Sequence, residues 1–328
     1  MKKRLVVAAA LGLLAARRLL VSPYDLQGKV VLITGGSRGL GLALAREFAS
    51  RGARLALLAR DPEELGVAGA ELRARGAEVR ELVADLARPQ EAERAVAELL
   101  DYYGGLDVLV NSVGIIQASP LANLTLDDYH RAMDINFYGP LHAMLAARPA
   151  LARSGGRILN VSSVGGKVGV PHLASYSASK FALVGLGQAW RAELRREGVT
   201  LTTVCPGLMR TGSARHVVVG GKAETEYALF ATLDNLPVLS LDAAEAARRM
   251  VQAMVRGDAE TVIGGPARLL TALQSLAPQL TAELLGLGSR LLPAPAESDG
   301  KRVGAEVESA LTRANPLKRR AEGEFNES

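Results

Sequence analysis

The sequence predicts an α/β fold, a doubly wound parallel sheet of about seven strands with helices on both faces. Two observations support it. Short apolar runs alternate with longer helical stretches, and the first run ends in a glycine-rich turn that opens a helix. Connections of helical length join parallel strands as crossovers, and such sheets are covered on both faces. The predicted strands lie at 29–36, 54–60, 77–86, 106–114, 156–163, 199–207 and 259–265.

Helical patterns fill the intervals between these strands. The first is amphipathic and closes at Gly52, where a glycine is suited to end a helix. The fourth and fifth are the longest. The helical stretches lie at 40–52, 62–76, 89–105, 124–151, 175–198 and 242–257. Their order, one helix after each strand, is what a crossover-connected sheet requires.

Composition excludes several classes of protein. Cys205 is the only cysteine, so neither an intrachain disulfide nor a cysteine-based zinc site can form, and four histidines without ligand spacing predict no metal site. The net charge of +5 comes entirely from the residues before Tyr24, since the remaining chain has 34 basic and 34 acidic residues. A neutral body offers no phosphate-tracking surface, so nucleic acid is not an expected partner.

The basic N-terminal segment, residues 1–23, leaves four interpretations open. Its apolar run from Leu5 to Ala16 is 12 residues long, and a bilayer span needs about 20. It resembles a secretion signal but lacks a clean cleavage site. Lys3 and Arg17 fall near one side of a helix, which suits a helix lying on a membrane surface. We therefore expect a cytoplasmic protein attached to the cytoplasmic face of a membrane through residues 1–22. The alternatives are a docked or disordered arm and a true span, which snorkelling of Arg17 and Arg18 would allow.

Three further segments follow. Residues 24–265 form the predicted catalytic domain. Residues 266–295 carry leucines every three or four positions, interrupted at Pro278, and predict a helical hairpin docked on the body or a membrane-facing or substrate-capping element. Residues 296–328 are charged and poor in large apolar residues, which predicts disorder.

The turn after the first strand predicts a dinucleotide-binding loop of the Rossmann type. Glycines allow close backbone approach to a pyrophosphate, and a helix N-terminus supplies free N–H groups and a favourable dipole. The spacing in Thr34 to Gly41 resembles the TGxxxGxG turn of classical short-chain dehydrogenases/reductases, and the resemblance extends from about Gly28 to Gly265. The loop residues expected to contact the cofactor are Gly35, Ser37, Arg38, Gly39, Leu40 and Gly41.

The end of the second strand favours NADP(H) over NAD(H). In NAD-preferring members of the family an acid stands where this chain has Ala59, and here Arg60 follows. With Arg38, this places two guanidinium groups where a 2′-phosphate would bind. Asp61 argues against the assignment, but an N-cap before a proline also explains it. Asp85 and Leu86 resemble the family pair that contacts adenine.

The chemistry is predicted at Tyr176 and Lys180, four residues apart at the start of the fifth long helical pattern and therefore on one face. An ammonium beside a phenol lowers its pKa, and a hydride transfer to a carbonyl needs such a proton donor. Ser163, thirteen residues before the tyrosine, resembles the family serine that holds the substrate oxygen. Asn136 resembles the family asparagine that anchors a water in a proton relay through the lysine.

Other matches to the family concern the cofactor. Asn111 and Gly114 lie in a stretch like the family's NNAG motif, from which Ser112 and Val113 depart. A second stretch resembles the PGxxxT segment that orients the nicotinamide carboxamide; it contains Pro206, Gly207, Leu208 and Thr211. Cys205, just before it, is expected to be a buried apolar residue rather than a nucleophile.

The resemblance implies an NADP(H)-dependent oxidoreductase that interconverts a small-molecule ketone or aldehyde and an alcohol. A non-catalytic NADP(H)-binding sensor or scaffold and an epimerase of the extended relatives are the alternatives. Residues 208–237 should form the substrate lid, and the apolar C-terminal region favours a lipophilic substrate. Family members form dimers or tetramers through two long helices, here 126–148 and 176–197, so we expect a homodimer or homotetramer.

Overall fold

A computed structural model of the chain describes residues 23–297 and 300–327. Its strands are β1 Val30–Thr34, β2 Arg54–Ala59, β3 Val79–Val83, β4 Val108–Asn111, β5 Gln117–Ala118, β6 Arg157–Val161, β7 Thr200–Pro206, β8 Met209–Arg210, β9 Val218–Val219, β10 Leu241–Asp242, β11 Glu260–Ile263 and β12 Arg302–Val303. The helices are α1 Gly39–Ala49, α2 Pro62–Ala74, α3 Pro89–Tyr103, α4 Leu126–Met133, α5 Gly139–Ser154, α6 Ala174–Leu194, α7 Ala223–Asn235, α8 Ala243–Arg256, α9 Gly265–Leu276, α10 Pro278–Ser289, α11 Ala310–Arg313 and α12 Pro316–Glu324.

Seven strands form one sheet in the order β11-β7-β6-β4-β1-β2-β3, with every pairing parallel. The predicted fold class is therefore confirmed. The chain runs outward from β1 to β3 on one side, then returns to β4 on the other, so the connections diverge between β1 and β4. In open α/β sheets a ligand crevice lies at the carboxyl ends of the strands at such a switch point.

Side chains of the central strands alternate between two apolar layers. Val31 and Ile33 pack with α1, α2 and α8, whereas Val30 and Leu32 pack with α3, α5 and α6. All four are buried. The period of two sends successive residues to opposite faces, and both faces are covered as the sequence predicts.

The predicted helix at 124–151 is interrupted in its middle. Residues Asp134–Tyr138 form a π-helical segment between α4 and α5. A π-helical turn widens the hydrogen-bonding ring and often occurs at functional sites. The segment contains Asn136, one of the four predicted catalytic residues.

The leucine-rich stretch forms two helices, α9 and α10, which meet at the predicted break before Pro278. The prediction that its leucine stripe docks on the body is wrong for most of its members. Leu269, Leu276 and Leu291 are 73%, 87% and 88% exposed, respectively. Leu270, which is not in the stripe, instead lines the pocket described below.

The prediction of a disordered tail at 296–328 is wrong for residues 300–327. β12 pairs with β9, and Phe325 is buried against the core. The tail packs on the body with few apolar residues because its charges are paired. Buried Lys318 donates to the carboxylates of Glu308 and Glu322. A prediction of disorder from average composition takes no account of such specific ion pairs.

The predicted membrane-associated segment, residues 1–22, lies outside the described residues. Among the residues that are described, none of the helices has the length and apolar character needed to cross a bilayer.

Candidate active site

The loop between β1 and α1 has the shape of a phosphate cradle. Gly35 and Gly39 have φ values of +68° and +54°, which favour glycine. A Cβ built on Gly41 would stand 1.8 Å from the Gly35 carbonyl oxygen, so no side chain fits there. The predicted glycines are thus required by backbone geometry, and α1 begins at the loop with its N-terminus at the carboxyl edge of the sheet.

The loop after β4 is held against the cradle by Thr34, whose Oγ1 accepts hydrogen bonds from the N–H groups of Ser112 and Val113 at 3.2 and 3.4 Å. Asn111 is fully buried, and its Nδ2 donates to Asn160 Oδ1 at 2.9 Å. Its side chain therefore serves the interior of the sheet rather than the crevice. The predicted contact of Asn111 with the cofactor stays a prediction.

Tyr176 and Lys180 lie in the first two turns of α6, beside the end of β6. The Lys180 ammonium is 5.8 Å from the centre of the Tyr176 ring and donates to the Val161 carbonyl oxygen at 3.2 Å. Ser163, in extended conformation after β6, hydrogen-bonds the Tyr176 side chain. The structure thus brings three of the predicted catalytic residues together.

The predicted lowering of the tyrosine pKa by Lys180 is wrong for this structure. Burial raises the pKa of Tyr176 to about 12, and the hydrogen bond from Ser163 opposes that rise only in part. Burial also lowers the pKa of Lys180 to about 8. Because the ammonium donates to a backbone carbonyl and lies 5.8 Å from the centre of the ring, desolvation of the phenol dominates.

Asn136, the fourth predicted catalytic residue, is fully buried and its amide is engaged at both ends. Nδ2 donates to the Ile115 carbonyl oxygen and to Ser179 Oγ, at 3.1 and 2.9 Å, and Oδ1 accepts from the Ile115 N–H at 2.8 Å. Ser179 in turn donates to the Tyr176 carbonyl oxygen at 2.7 Å. Asn136 therefore links the loop after β4 to the helix that carries the tyrosine.

Of the two arginines expected to select NADP(H), Arg60 faces solvent and Arg38 pairs with acidic side chains. Arg60 is exposed after β2 and has no ion pair with a described residue. Asp61 accepts hydrogen bonds from the N–H groups of Glu63 and Glu64, which confirms it as the N-cap of α2. The Arg38 guanidinium lies 3.2 Å from Glu64 and 2.8 Å from Glu327. Two carboxylates therefore pair with the group that was expected to bind the 2′-phosphate.

The predicted adenine-contacting pair lies at the end of β3. The Asp85 carboxylate accepts from the Ala87 N–H at 3.1 Å and so shapes its own turn. Leu86 is buried, and its carbonyl oxygen contacts His142 Nδ1 at 2.8 Å. The Asp85 carboxylate and the Leu86 backbone carbonyl are thus engaged in local contacts, and contact of these residues with adenine stays a prediction.

A pocket of about 380 Å³ opens beside Tyr176 and Ser163 at the carboxyl edge. The predicted segment after β7 lines it through Pro206, Gly207, Leu208 and Thr211. Apolar residues of α7, of the segment that follows it and of α9 form much of the remaining wall, namely Leu229, Phe230, Leu233, Leu239, Ala267 and Leu270. Cys205 is fully buried next to this segment, and burial raises its thiol pKa to about 12, which confirms it as a buried residue rather than a nucleophile.

Asp234, which sequence reasoning missed, also lines this pocket and is only 6% exposed. Burial raises the pKa of its carboxyl to about 7, opposed by a hydrogen bond from the Met209 backbone and by the charge of Arg210. The apolar residues Phe230 and Leu233, four and one positions earlier, gave a hint that this acid lies on a buried helix face. Its position in the pocket depends on tertiary contacts that no local pattern reports.

The residues at the catalytic end fit a nicotinamide dinucleotide. The Lys180 side chain is 5% exposed and its ammonium makes one hydrogen bond to a described residue, which leaves two N–H groups for a ribose. Gly114 keeps that approach open, since a Cβ there would lie 3.3 Å from Lys180 Nζ and 3.1 Å from Asn136 Oδ1. Within the described residues no cluster of three metal-ligating side chains is found.

Sheet order, glycine cradle and the paired tyrosine and lysine define a Rossmann-type nucleotide-binding oxidoreductase. Comparison with known proteins makes the assignment specific, because residues 29–219 match the family model of short chain dehydrogenases. The chain belongs to the short-chain dehydrogenase/reductase family, and the resemblance seen in the motifs is confirmed.

Relatives of two kinds are similar to this chain. A putative ketoacyl reductase of the granaticin polyketide synthase from Streptomyces violaceoruber is 40% identical over 191 residues, covering 57% of this chain and 70% of the relative. The 11-beta-hydroxysteroid dehydrogenase-like 4A protein of Arabidopsis thaliana is 34% identical over 262 residues, covering 77% and 82%. A crystal structure of a variant actinorhodin polyketide ketoreductase with NADPH superposes with a TM-score of 0.64 at 30% identity, covering 72% of this chain and 95% of that one.

Proposed function

We propose that this oxidoreductase interconverts a lipophilic ketone or aldehyde and its alcohol by hydride transfer with NADP(H), with Tyr176 as general acid and base. One observation carries the proposal. Tyr176 and Ser163 line a largely apolar pocket at the carboxyl edge of the sheet, and the Lys180 ammonium lies beside the tyrosine ring. A pocket of this kind positions a carbonyl against two hydroxyl groups and excludes water.

The side chains supply the proton and the binding of the oxygen. When bound, NADPH supplies the hydride. Ser163 and Tyr176 donate hydrogen bonds to the substrate oxygen, and Tyr176 transfers its proton there as negative charge develops. With its pKa at about 12 the phenol carries its proton at neutral pH and can give it to the substrate oxygen, although the raised pKa makes it a weaker acid than an ordinary phenol.

Lys180 and Asn136 have supporting roles in this proposal. The lysine pKa of about 8 places its proton exchange close to neutral pH, and its unused N–H groups suit a cofactor ribose. The hydrogen bond from Ser163 favours the phenolate left by proton transfer. Asn136 positions the loop after β4 and, through Ser179, the tyrosine helix. Its predicted part in a water relay stays a prediction.

NADP(H) is preferred to NAD(H) in the proposal on three grounds. Ala59 offers no carboxylate to a ribose diol, exposed Arg60 follows it, and the similar ketoreductase structure holds NADPH. A neutral side chain at that position removes the repulsion that an acid would exert on a 2′-phosphate. Arg38 contributes only after it leaves its present carboxylate partners.

The proposed substrate is lipophilic because the pocket is. Leu229, Phe230 and Leu233 of α7, together with Leu270 of α9, supply its apolar walls. These residues belong to the predicted lid and to the C-terminal extension. The similar proteins include a ketoacyl reductase and a hydroxysteroid dehydrogenase-like protein, whose names both indicate apolar carbonyl or alcohol substrates.

Purified protein tests the function directly. Oxidation of NADPH is followed with a panel of apolar ketones and aldehydes, in the native chain and in Tyr176→Phe. We expect at least one carbonyl to be reduced, and Tyr176→Phe to lose at least about a hundredfold in kcat/KM, the contribution of a positioned general acid. NADPH binding by the variant, measured by fluorescence titration, should stay within about twofold of native, since the lost hydroxyl faces the pocket. Retained turnover in Tyr176→Phe would refute the role.

The two alternatives make different predictions in the same assay. A non-catalytic sensor binds NADPH but reduces nothing in the panel. An epimerase converts its substrate while the cofactor shows no net change. The tyrosine, lysine and serine are all present, which favours catalysis over sensing.

Association and location also stay proposals. Exposed Tyr138 and Leu145, beside or on α5, and Phe181 on α6 lie on the two helices expected to join copies of the chain. Those apolar side chains suit the homodimer or homotetramer that the family resemblance implies. Attachment to the cytoplasmic face of a membrane through residues 1–22 is the corresponding proposal for location.

A further inference from the structure

The end of the C-terminal segment sits on the phosphate loop. The Gly39 N–H, at the N-terminus of α1, donates to the Phe325 carbonyl oxygen at 2.8 Å. Asn326 Nδ2 donates to the Ser37 carbonyl oxygen at 3.0 Å, and Arg38 Nη1 donates to a Glu327 carboxylate oxygen at 2.8 Å. N–H groups and a guanidinium at such a helix N-terminus are the donors that a dinucleotide phosphate requires.

The Glu327 carboxylate fills space as well as satisfying donors. Its side chain is 1% exposed, and His216 Nε2 contacts it at 2.7 Å. A Cβ built on Gly39 would stand 2.7 Å from Glu327 Oε1 and 4.0 Å from the Thr211 Cβ. The room that a glycine keeps free for a pyrophosphate is therefore taken by a carboxylate, and the two anions exclude each other.

The segment is anchored rather than laid loosely on the surface. Phe325 is 2% exposed within the core cluster and lies under the Arg46 guanidinium, 5.1 Å from its ring centre. A buried carboxylate is costly unless it is paired, and Glu327 is paired with Arg38 and His216. Its partner His216 lies in the short helix that follows Thr211, so the segment connects the phosphate loop to the start of the lid.

We propose that residues 325–327 are an intramolecular ligand of the phosphate loop and compete there with NADP(H). The proposal rests on the proposed function only for the identity of the cofactor. With the segment docked, Gly39 and Arg38 are occupied and NADP(H) is excluded from the loop. With the segment released, the same groups receive the phosphates, and His216 is freed at the lid.

The size of the effect follows from the docked population. A ligand that binds only the released state has its apparent Kd raised by the inverse of the released fraction. If about nine molecules in ten are docked, removal of the plug tightens NADPH binding roughly tenfold. By linkage, saturating NADPH drives the segment off the loop to the same extent.

The test compares Glu327→Gln with Glu324→Gln in the full chain. Both remove one negative charge close to the end of the tail, but Glu324 pairs with Arg320, at 3.7 Å, and its carboxylate does not touch the loop. The readout is the Kd of NADPH by fluorescence titration at fixed salt. We expect Glu327→Gln to bind NADPH several-fold to about tenfold more tightly than native, and Glu324→Gln to stay within about twofold.

Asn326→Gly gives a second variant that keeps the positive φ of this residue and removes its bond to the Ser37 carbonyl; it should also tighten NADPH binding. Hydrogen exchange of residues 316–327 supplies a readout independent of affinity, and NADPH should accelerate it. Unchanged NADPH binding by Glu327→Gln would overturn the proposal. Weaker binding, or slower hydrogen exchange of residues 316–327 with NADPH, would also overturn it and would indicate that the segment clamps the cofactor. If neither the native chain nor any variant binds NADPH, the proposed function fails as well. If all of them bind NADPH with the same measurable Kd, only the proposed competition is overturned.

Discussion

At the scale of single residues, Asp234 is the least expected member of the site. An acid that is only 6% exposed in an apolar pocket is destabilised in its charged form, and its pKa rises to about 7 from an ordinary value of 3.8. Asp234 therefore carries a proton over much of the acidic range in the folded protein, while in the unfolded chain it loses that proton near its ordinary pKa. A protonated carboxyl can donate as well as accept hydrogen bonds, so Asp234 adds a polar group to a largely apolar pocket.

Asp234→Asn should change how stability depends on pH. Between about pH 4 and 7 the folded protein binds the Asp234 proton and the unfolded chain does not, so native stability falls as the pH rises through this window. The amide does not titrate. Relative to native, the variant should therefore gain stability from about pH 4 to pH 7, by at most about 4 kcal/mol. Urea unfolding at a series of pH values measures this gain.

Glu283→Gln on α10 is the control for that experiment, because its carboxylate is exposed and accepts a hydrogen bond from Gln279 on the same helix. It removes the same charge at the surface, so its stability difference from native is the baseline for Asp234→Asn. A flat difference for Asp234→Asn would show that the carboxyl is ionised at neutral pH in the folded protein.

The relative positions of the predicted catalytic residues followed from the sequence, but their electrostatics did not. Spacing alone places Tyr176 and Lys180 on one helix face and Ser163 at a strand end, and these relations survive folding. The pKa of Tyr176 depends on how deeply the ring is buried and on where the lysine donates its hydrogen bond. Those quantities come from the packing of α6 against β7 and the turn that follows β6, which the sequence does not report.

At the scale of elements, the β1–α1 turn shows how local geometry dictates residue type. Gly41 stands where any Cβ would overlap the Gly35 carbonyl oxygen, whereas Gly66, exposed on α2, has nothing within 4 Å of a built Cβ and no positive φ. The two glycines are opposite cases within one layer of helices. A sequence motif identifies Gly41 because it stands at a fixed spacing from Gly35 and Gly39.

Gly41→Ala and Gly66→Ala should therefore act in opposite directions. We expect Gly41→Ala to lose about 2 kcal/mol or more, because the backbone must move to relieve the overlap. Gly66→Ala should gain about 0.5–1 kcal/mol, since alanine favours the helix and reduces the entropy of the unfolded chain. The free energy of unfolding in urea gives both values, and native stability in Gly41→Ala would contradict this close approach in the turn.

The predictions for the C-terminal elements failed because they were based on composition and periodicity, whereas specific contacts determine the structure. The tail at 300–327 is charged, yet Phe325 reaches the core and Lys318 joins two carboxylates. The leucines of α9 and α10 have a helical period, but most face solvent. In both cases the local pattern identifies a helix or a polar stretch, and only the tertiary partner decides what it does.

At the scale of the whole molecule, the parallel sheet gathers residues from distant segments at one edge. Gly39 follows β1, Asn136 follows the loop after β4, and Ser163 and Tyr176 follow β6, so strand order rather than chain order brings them together. The order was predictable as a class because crossover connections admit few alternatives. The occupation of the loop by residues 325–327 was not, because it joins segments far apart in the chain.

The transfer of an isotopic label tests the central claim most directly. The protein is incubated with an apolar ketone and NADPH that carries deuterium at the transferable position of the nicotinamide, and the alcohol is analysed by mass spectrometry. We expect one deuterium on the carbinol carbon with the native chain, and none above background with Tyr176→Phe under conditions in which both bind NADPH. Equal labelling by the variant, or an alcohol that carries no deuterium, would contradict hydride transfer with Tyr176 as the acid.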